Sequence, residues 1–193
     1  MSRIAGLALL VASALAVAVR AQPHLPAERL DLPGVPNLGR VHARLLRGGQ
    51  PTDAGFRALA ASGVTLVVDL RGGDQRSDAE RALVTSLGME YVAIPMSGWR
   101  TPRPDEVERF LDLLREDRKG AVFVHCRRGA ERTGAMIAAY RIGDQAWSPA
   151  EARAEMDAYR FRAWLHPHLV RWVREFTPAA APRPTPALVP AHS

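Results

Sequence analysis

The seven residues VTLVVDL (64–70) limit the architecture of this chain more than any other stretch. They form a continuous apolar, β-branched run without period-two alternation and too short for a helix. Such a strand is buried on both faces, which calls for a mostly parallel sheet covered by helices on either side. YVAI (91–94) and AVFVH (121–125) repeat the pattern, and VHARLLRGG (41–49) reads as an opening strand. Helical signals fall between them. Thr52 to Ser62 is stopped by Gly63; SDAERALVTSLG opens with Ser77 and Glu80 at capping-box spacing and ends at Gly88. Val107, Phe110, Leu111 and Leu114 mark one face of a third helix. After AVFVH, helices are expected at about 133–145, from the Ser148–Pro149–Glu151 start, and at about 167–176. The expected fold is therefore α/β, with a central, mostly parallel sheet of about four or five strands flanked by helices. Ligands of such sheets gather at the carboxyl ends of the strands.

The ends of the chain differ from this middle. MSRIAGLALLVASALAVAVRAQP has a short basic start, an apolar run from Ile4 to Val19, and small residues at Val19 and Ala21. That is a signal-peptide pattern with cleavage after Ala21, and the run falls short of the roughly 20 residues of a spanning helix. Export to a periplasm or beyond is the expectation; an uncleaved membrane anchor is the competing reading. Residues 22–40 read as a proline-rich extended lead-in, 41–176 as one folded domain, and 177–193, with five prolines, as a disordered tail.

The 193 residues carry a formal charge of +6, or +4 without Arg3 and Arg20. No Lys/Arg-rich block with interleaved aromatics is present, so nucleic acid is not an expected partner. A single cysteine, Cys126, permits no internal disulfide. His166 and His168 lie in no ligand cluster, and no metal site is expected.

That cysteine sits in VHCRRGAERTG (124–134), directly after the AVFVH strand and before a helix. The loop between them is placed to turn several backbone N–H groups inward over the positive end of the helix dipole. Gly129 permits close backbone approach or a positive φ. Arg132 is positioned to return across the loop and hold two oxygens of a phosphate with its planar fork. Helix N-termini and neighbouring arginines ionise thiols near neutral pH, so Cys126 is the candidate nucleophile. Thr133 is placed to donate its hydroxyl to the sulfur when sulfur becomes the leaving group; ordinary helix-start chemistry is its alternative. Arg127 and Arg128 add charge that suits polyanionic substrates such as inositol phosphates, or else are solvated surface arginines. Asp69 and Arg71, in VVDLRGG, end a strand on the same sheet edge. A structural ion pair is one reading of them, and an Arg71 that reaches the site is the other.

HCRRGAERTG resembles the H-C-x5-R-[ST]-G phosphate loop of cysteine-dependent protein tyrosine and dual-specificity phosphatases. LLRGGQPTDAGFRALAASGVTLVVDLRGG is similar to the opening segment of small bacterial and atypical dual-specificity members. The resemblance covers about residues 41–176. It implies a phosphomonoesterase with no metal or other cofactor, Cys126 as nucleophile and Arg132 as phosphate clamp. It further implies that residues 127–131, Gly129 and Ala130 among them, offer loop amides, and that His125 orients the cysteine. Phosphotyrosine is the expected substrate, in a phosphorylated protein or peptide, with phosphoserine and phosphothreonine as secondary ones. Inositol phosphates or phosphoinositides are the alternative. The resemblance also implies an aspartate that protonates the leaving oxygen, yet IPMSGWRTPRPDEVERF (94–110) has none in its early part. Asp105 is the nearest, where a helix cap explains it equally well; Glu131, just before Arg132, is its rival. A rhodanese-like sulfurtransferase and a phosphate-binding module without turnover are the remaining alternatives.

Overall fold

The computed structural model describes residues 24–73 and 75–178. The signal peptide, its cleavage point and the tail beyond residue 178 lie outside them.

One six-stranded sheet organises the chain: β1 (Glu28–Arg29), β2 (Gly39–His42), β3 (Leu45–Gly49), β4 (Val64–Asp69), β5 (Glu90–Ala93) and β6 (Ala121–Cys126). Their spatial order is β1-β2-β3-β6-β4-β5, with β3, β6, β4 and β5 mutually parallel and β1 and β2 antiparallel at one edge. Four or five strands were expected; two features account for the sixth. VHARLLRGG is split by a turn at residues 43 and 44, where the Arg44 N–H donates to His42 Nδ1 at 3.2 Å. The stretch expected as a lead-in supplies β1 and the start of β2, so it extends the sheet.

Six helices cover the sheet: α1 (Asp53–Ala61), α2 (Gln75–Ser86), α3 (Pro104–Arg115), α4 (Glu131–Gln145), α5 (Pro149–Ala158) and α6 (Pro167–Glu175). Strand alternation divides the core in two. Val67 and Phe123 face the side of α1 and α2, packing with Phe56, Leu59 and Val84. Leu66, Val68, Val122 and Val124 face the other side, where α3 and α4 bring Phe110, Met136 and Ile137. The alternation is silent in the sequence because both faces are equally apolar and equally buried. Helices α5 and α6 pack behind α4 through Met156, Leu169 and Val173. The Ser148–Glu151 capping box forms as expected, with Glu151 N–H donating to Ser148 Oγ at 3.2 Å and Ser148 N–H to Glu151 Oε2 at 2.9 Å.

The second capping box does not form. Helix α2 begins before Ser77, and both Ser77 and Glu80 are buried on its inner face. Their spacing serves instead a polar network beneath the strand ends.

Candidate active site

Strand β6 lies centrally, paired to β3 and β4, and delivers Cys126 at its carboxyl end, 1% exposed. Residues 127–130 then turn into α4. The carbonyls of this loop are drawn outward. Arg127 O accepts from Gln50 N–H at 3.3 Å, and Arg128 O and Gly129 O accept from the Asn37 side-chain amide at 3.2 and 3.0 Å. Gly129 O also accepts from Arg47 Nη2 at 3.3 Å. In a planar trans peptide the N–H opposes the C=O, so the amides of Arg128, Gly129 and Ala130 turn to the concave side. Gly129 has φ +68°, and a Cβ there would lie 2.4 Å from the Gly48 carbonyl carbon. Both reasons anticipated for glycine at this position, a positive φ and close approach, apply together.

Arg132 emerges from the first turn of α4 and returns over the cup. Its Nη1 donates to Leu70 O at 3.3 Å and Met96 O at 3.4 Å, carbonyls beyond the ends of β4 and β5. Cys126 and Arg132 line one pocket of about 330 Å³ together with Arg127, Arg128 and Glu131. Thr133 is fully buried in the same turn, and its hydroxyl has no hydrogen-bond partner among the described residues.

The loop rests on two buried polar clusters. On one side Arg47, completely buried, pairs with Glu155 at 3.2 Å, lies over the Tyr159 ring at 3.9 Å and shares Glu155 with Arg141 at 2.8 Å. Burial pushes the Arg47 pKa down and the Glu155 carboxylate opposes that push. This brace was not anticipated; its only trace in the sequence is an arginine inside an otherwise apolar strand. On the other side, Arg71 grips Asp69 through Nε and Nη2, both at 2.8 Å, and reaches Glu80 at 2.7 Å. Glu80 meets His125 Nε2 at 2.8 Å, and Tyr91 donates to Asp69 at 2.7 Å. Burial alone would raise the Asp69 pKa, but the hydrogen bonds from Arg71, the nearby His125 and Tyr91 bring it down to about 2. Tyr91 is pushed up, first by burial and then by its bond to Asp69. Among the described residues, Asp69, Glu80 and His125 are the one trio with metal-ligand geometry, and Arg71 already occupies its carboxylates. Arg71 thus makes the structural ion pair and also lines the rim beside Arg127 and Arg132. The His125 ring packs on Phe123, away from the pocket lining.

The two candidate acids part ways. Asp105 stands exposed on the first turn of α3, held by Arg103 Nε and Nη2 at 2.9 Å each, and is not among the pocket-lining residues. The Arg103 hydrogen bonds hold its pKa below the usual carboxylate value. The N-terminal bonds of α3 come instead from Glu106, whose Oε2 accepts from Arg103 N–H at 2.7 Å. Glu131 does line the pocket, with Arg162 Nε at 2.8 Å, Arg128 at 3.7 Å and His166 at 3.8 Å. Trp99, 70% exposed and stacked at 5.3 Å on His166, forms part of the same wall. Burial lowers the His166 pKa, with the Glu131 carboxylate acting the other way. Neither Trp99 nor His166 was singled out, because an aromatic and a lone histidine carry no local motif.

A nucleophile-bearing strand end, an inward-facing amide loop and a returning arginine define the cysteine-dependent phosphatase class, and sequence comparison agrees. The model of the family described as "DSP-PTPase phosphatase fused to NAD+ Kinase" matches residues 37–166, and the chain belongs to that family. The chain is 29% identical to the dual specificity protein phosphatase TpbA of Pseudomonas aeruginosa over 149 residues, 77% of this chain and 66% of that protein. It is 30% identical to NAD kinase 2, chloroplastic, of Arabidopsis thaliana over 99 residues, 49% of this chain but 10% of that protein. The chain thus spans about a tenth of the length of that plant relative. A crystal structure of P. aeruginosa TpbA in complex with pTyr superposes with a TM-score of 0.65 at 26% identity, covering 77% of this chain and 88% of that one.

Proposed function

We propose that this protein hydrolyses phosphotyrosine through a cysteinyl-phosphate intermediate, and phosphoserine and phosphothreonine more slowly. The observation that carries the reading is the single pocket shared by Cys126 and Arg132 beneath outward-drawn loop carbonyls. The Cys126 sulfur attacks phosphorus; an S–P bond forms as the P–O bond breaks, and the phenolic oxygen leaves with its electron pair and takes up a proton. Loop amides and the Arg132 fork hold the equatorial oxygens throughout. Water then attacks phosphorus, the S–P bond breaks, and thiolate and inorganic phosphate are released. Glu131, kept as the partner of Arg162, receives the proton of that water.

Two observations support an aryl substrate. Trp99 offers an exposed ring at the pocket wall, and Asp105 stands outside the pocket. A phenol, with pKa about 10, leaves with far less protonation than an alkyl alcohol. The pTyr complex of TpbA points the same way. Arg127, which borders both this pocket and the neighbouring one, favours a second reading, the same steps on inositol phosphates.

Release of phosphate from an aryl phosphate tests the reading. Cys126→Ser is expected to abolish release, Glu131→Gln to lower kcat at least about tenfold, and Asp105→Asn to leave it within about twofold. Turnover that survives Cys126→Ser overturns the mechanism. The N-terminal pattern supports a site of action beyond the inner membrane; a mature N-terminus at Gln22 on the periplasmic protein is the expected result. Among the described residues, no helix is long and apolar enough to cross a membrane.

A further inference from the structure

Beside the cysteine pocket lies a second cavity of about 580 Å³, lined by Gln50, Arg71, Arg76, Arg127, Arg132 and the glycines 72 and 73. Four arginines reach this wall, and no carboxylate is part of it. Arg127 and Arg132 belong to both cavities, so the two adjoin. The arginines differ in what already holds them. The bonds Arg71 makes to Asp69 and Glu80 use Nε and Nη2 only, which fixes the guanidinium plane from behind and leaves Nη1 outside that bonding. Among the described residues the Arg127 side chain makes no hydrogen bond or ion pair. Asp69 and Glu80, buried under the wall, offset one of its cations fully and leave a net positive surface.

A site for one phosphate does not require this second group of cations. We propose that the Arg71–Arg76–Arg127 cavity is an anion subsite that holds a second phosphate of the same substrate while the first sits on Cys126. The inference rests on the phosphatase reading above and narrows it to substrates carrying two nearby phosphate monoesters. Guanidinium forks suit such groups, which bring two negative charges and three acceptor oxygens each. A carboxylate in the same place would gain less, having one charge and two oxygens. The preorganised Arg71 supplies direction; Arg76 and Arg127 supply charge that no described carboxylate of the wall cancels.

The test separates binding from turnover. In the Cys126→Ser form of the full chain, affinity is measured by calorimetry for three probes: a phosphotyrosine peptide, the same peptide with a phosphothreonine two residues away, and an inositol bisphosphate with adjacent phosphates. The doubly phosphorylated probes are expected to bind at least about tenfold more tightly than the single one, a gain of the size that charge-assisted contacts provide. Arg76→Glu, an exposed change at the start of α2, is expected to remove that gain and leave the single-phosphate affinity within about twofold. A gain confined to the peptide assigns a protein source of the second phosphate, and one confined to the inositol assigns a small polyol. Equal affinity for singly and doubly phosphorylated probes, or an Arg76→Glu loss shared by all three, overturns the subsite. Loss of phosphate release by the unaltered chain would instead overturn the phosphatase reading, and the binding ratio would still judge the subsite.

Discussion

At the scale of the residue, the cup depends on positions where side-chain chemistry and backbone geometry cannot be traded. Gly129 is the clearest. Its φ of +68° disfavours any Cβ, and the Gly48 backbone occupies the place where one would go. Gly129→Ala is expected to destabilise the fold by about 3 kcal/mol, measured by urea unfolding, because strain and overpacking add. Its effect on phosphate release should exceed that of an equally destabilising core substitution far from the loop. Cys126, Arg132 and Gly129 were legible because strand, loop and helix follow one another locally. Glu131 was legible as a carboxylate adjoining the arginine, but its hold on Arg162 was not, since 31 residues separate them. Trp99 and His166 had no signal at all; each acquires a position in the pocket only when α6 packs against the loop following β5.

At the scale of the element, helix α2 shows how a local rule loses to a tertiary one. Ser77-x-x-Glu80 has capping-box spacing, and the same spacing puts both side chains on one helical face. Buried against β4 and β6, that face meets Asp69, Arg71 and His125, and satisfying those groups outweighs a helix start worth about 1 kcal/mol. Glu80→Gln is expected to cost about 3 kcal/mol of stability, since it withdraws one charge from a buried pair. Urea unfolding of the variant measures it, and a loss below about 0.5 kcal/mol would show that Asp69 alone satisfies Arg71. The Ser148–Glu151 start of α5, by contrast, lies at the exposed surface, and there the local rule held.

At the scale of the whole molecule, the buried titratable groups set the response to acid. Asp69 titrates at about 2 in the fold against an ordinary 3.8, so the folded state favours its ionised form. That preference contributes fully above pH 4 and disappears as pH falls to about 2. At about 1.4 kcal/mol per unit it amounts to roughly 2 kcal/mol. His42 and His166 act in the same direction from a higher pH. Burial lowers both below 6.5, so the unfolded chain binds protons that the folded one refuses, and stability declines as pH drops below 6.5. Urea midpoints at pH 7.5, 5.5 and 3 should therefore fall in two stages. A flat profile from pH 7.5 to 5.5 would contradict the histidine contribution.

The sequence by itself determined the parallel α/β sheet, the place of Cys126 at a strand end and the loop that follows. These depend on hydrophobic runs and on neighbours within about ten residues. The tertiary structure alone decided which carboxylate shares the pocket, which arginines brace the loop and which are left to face an anion. Those outcomes depend on packing between elements far apart in the chain, where burial forces every polar group to find a partner wherever the fold brings one near.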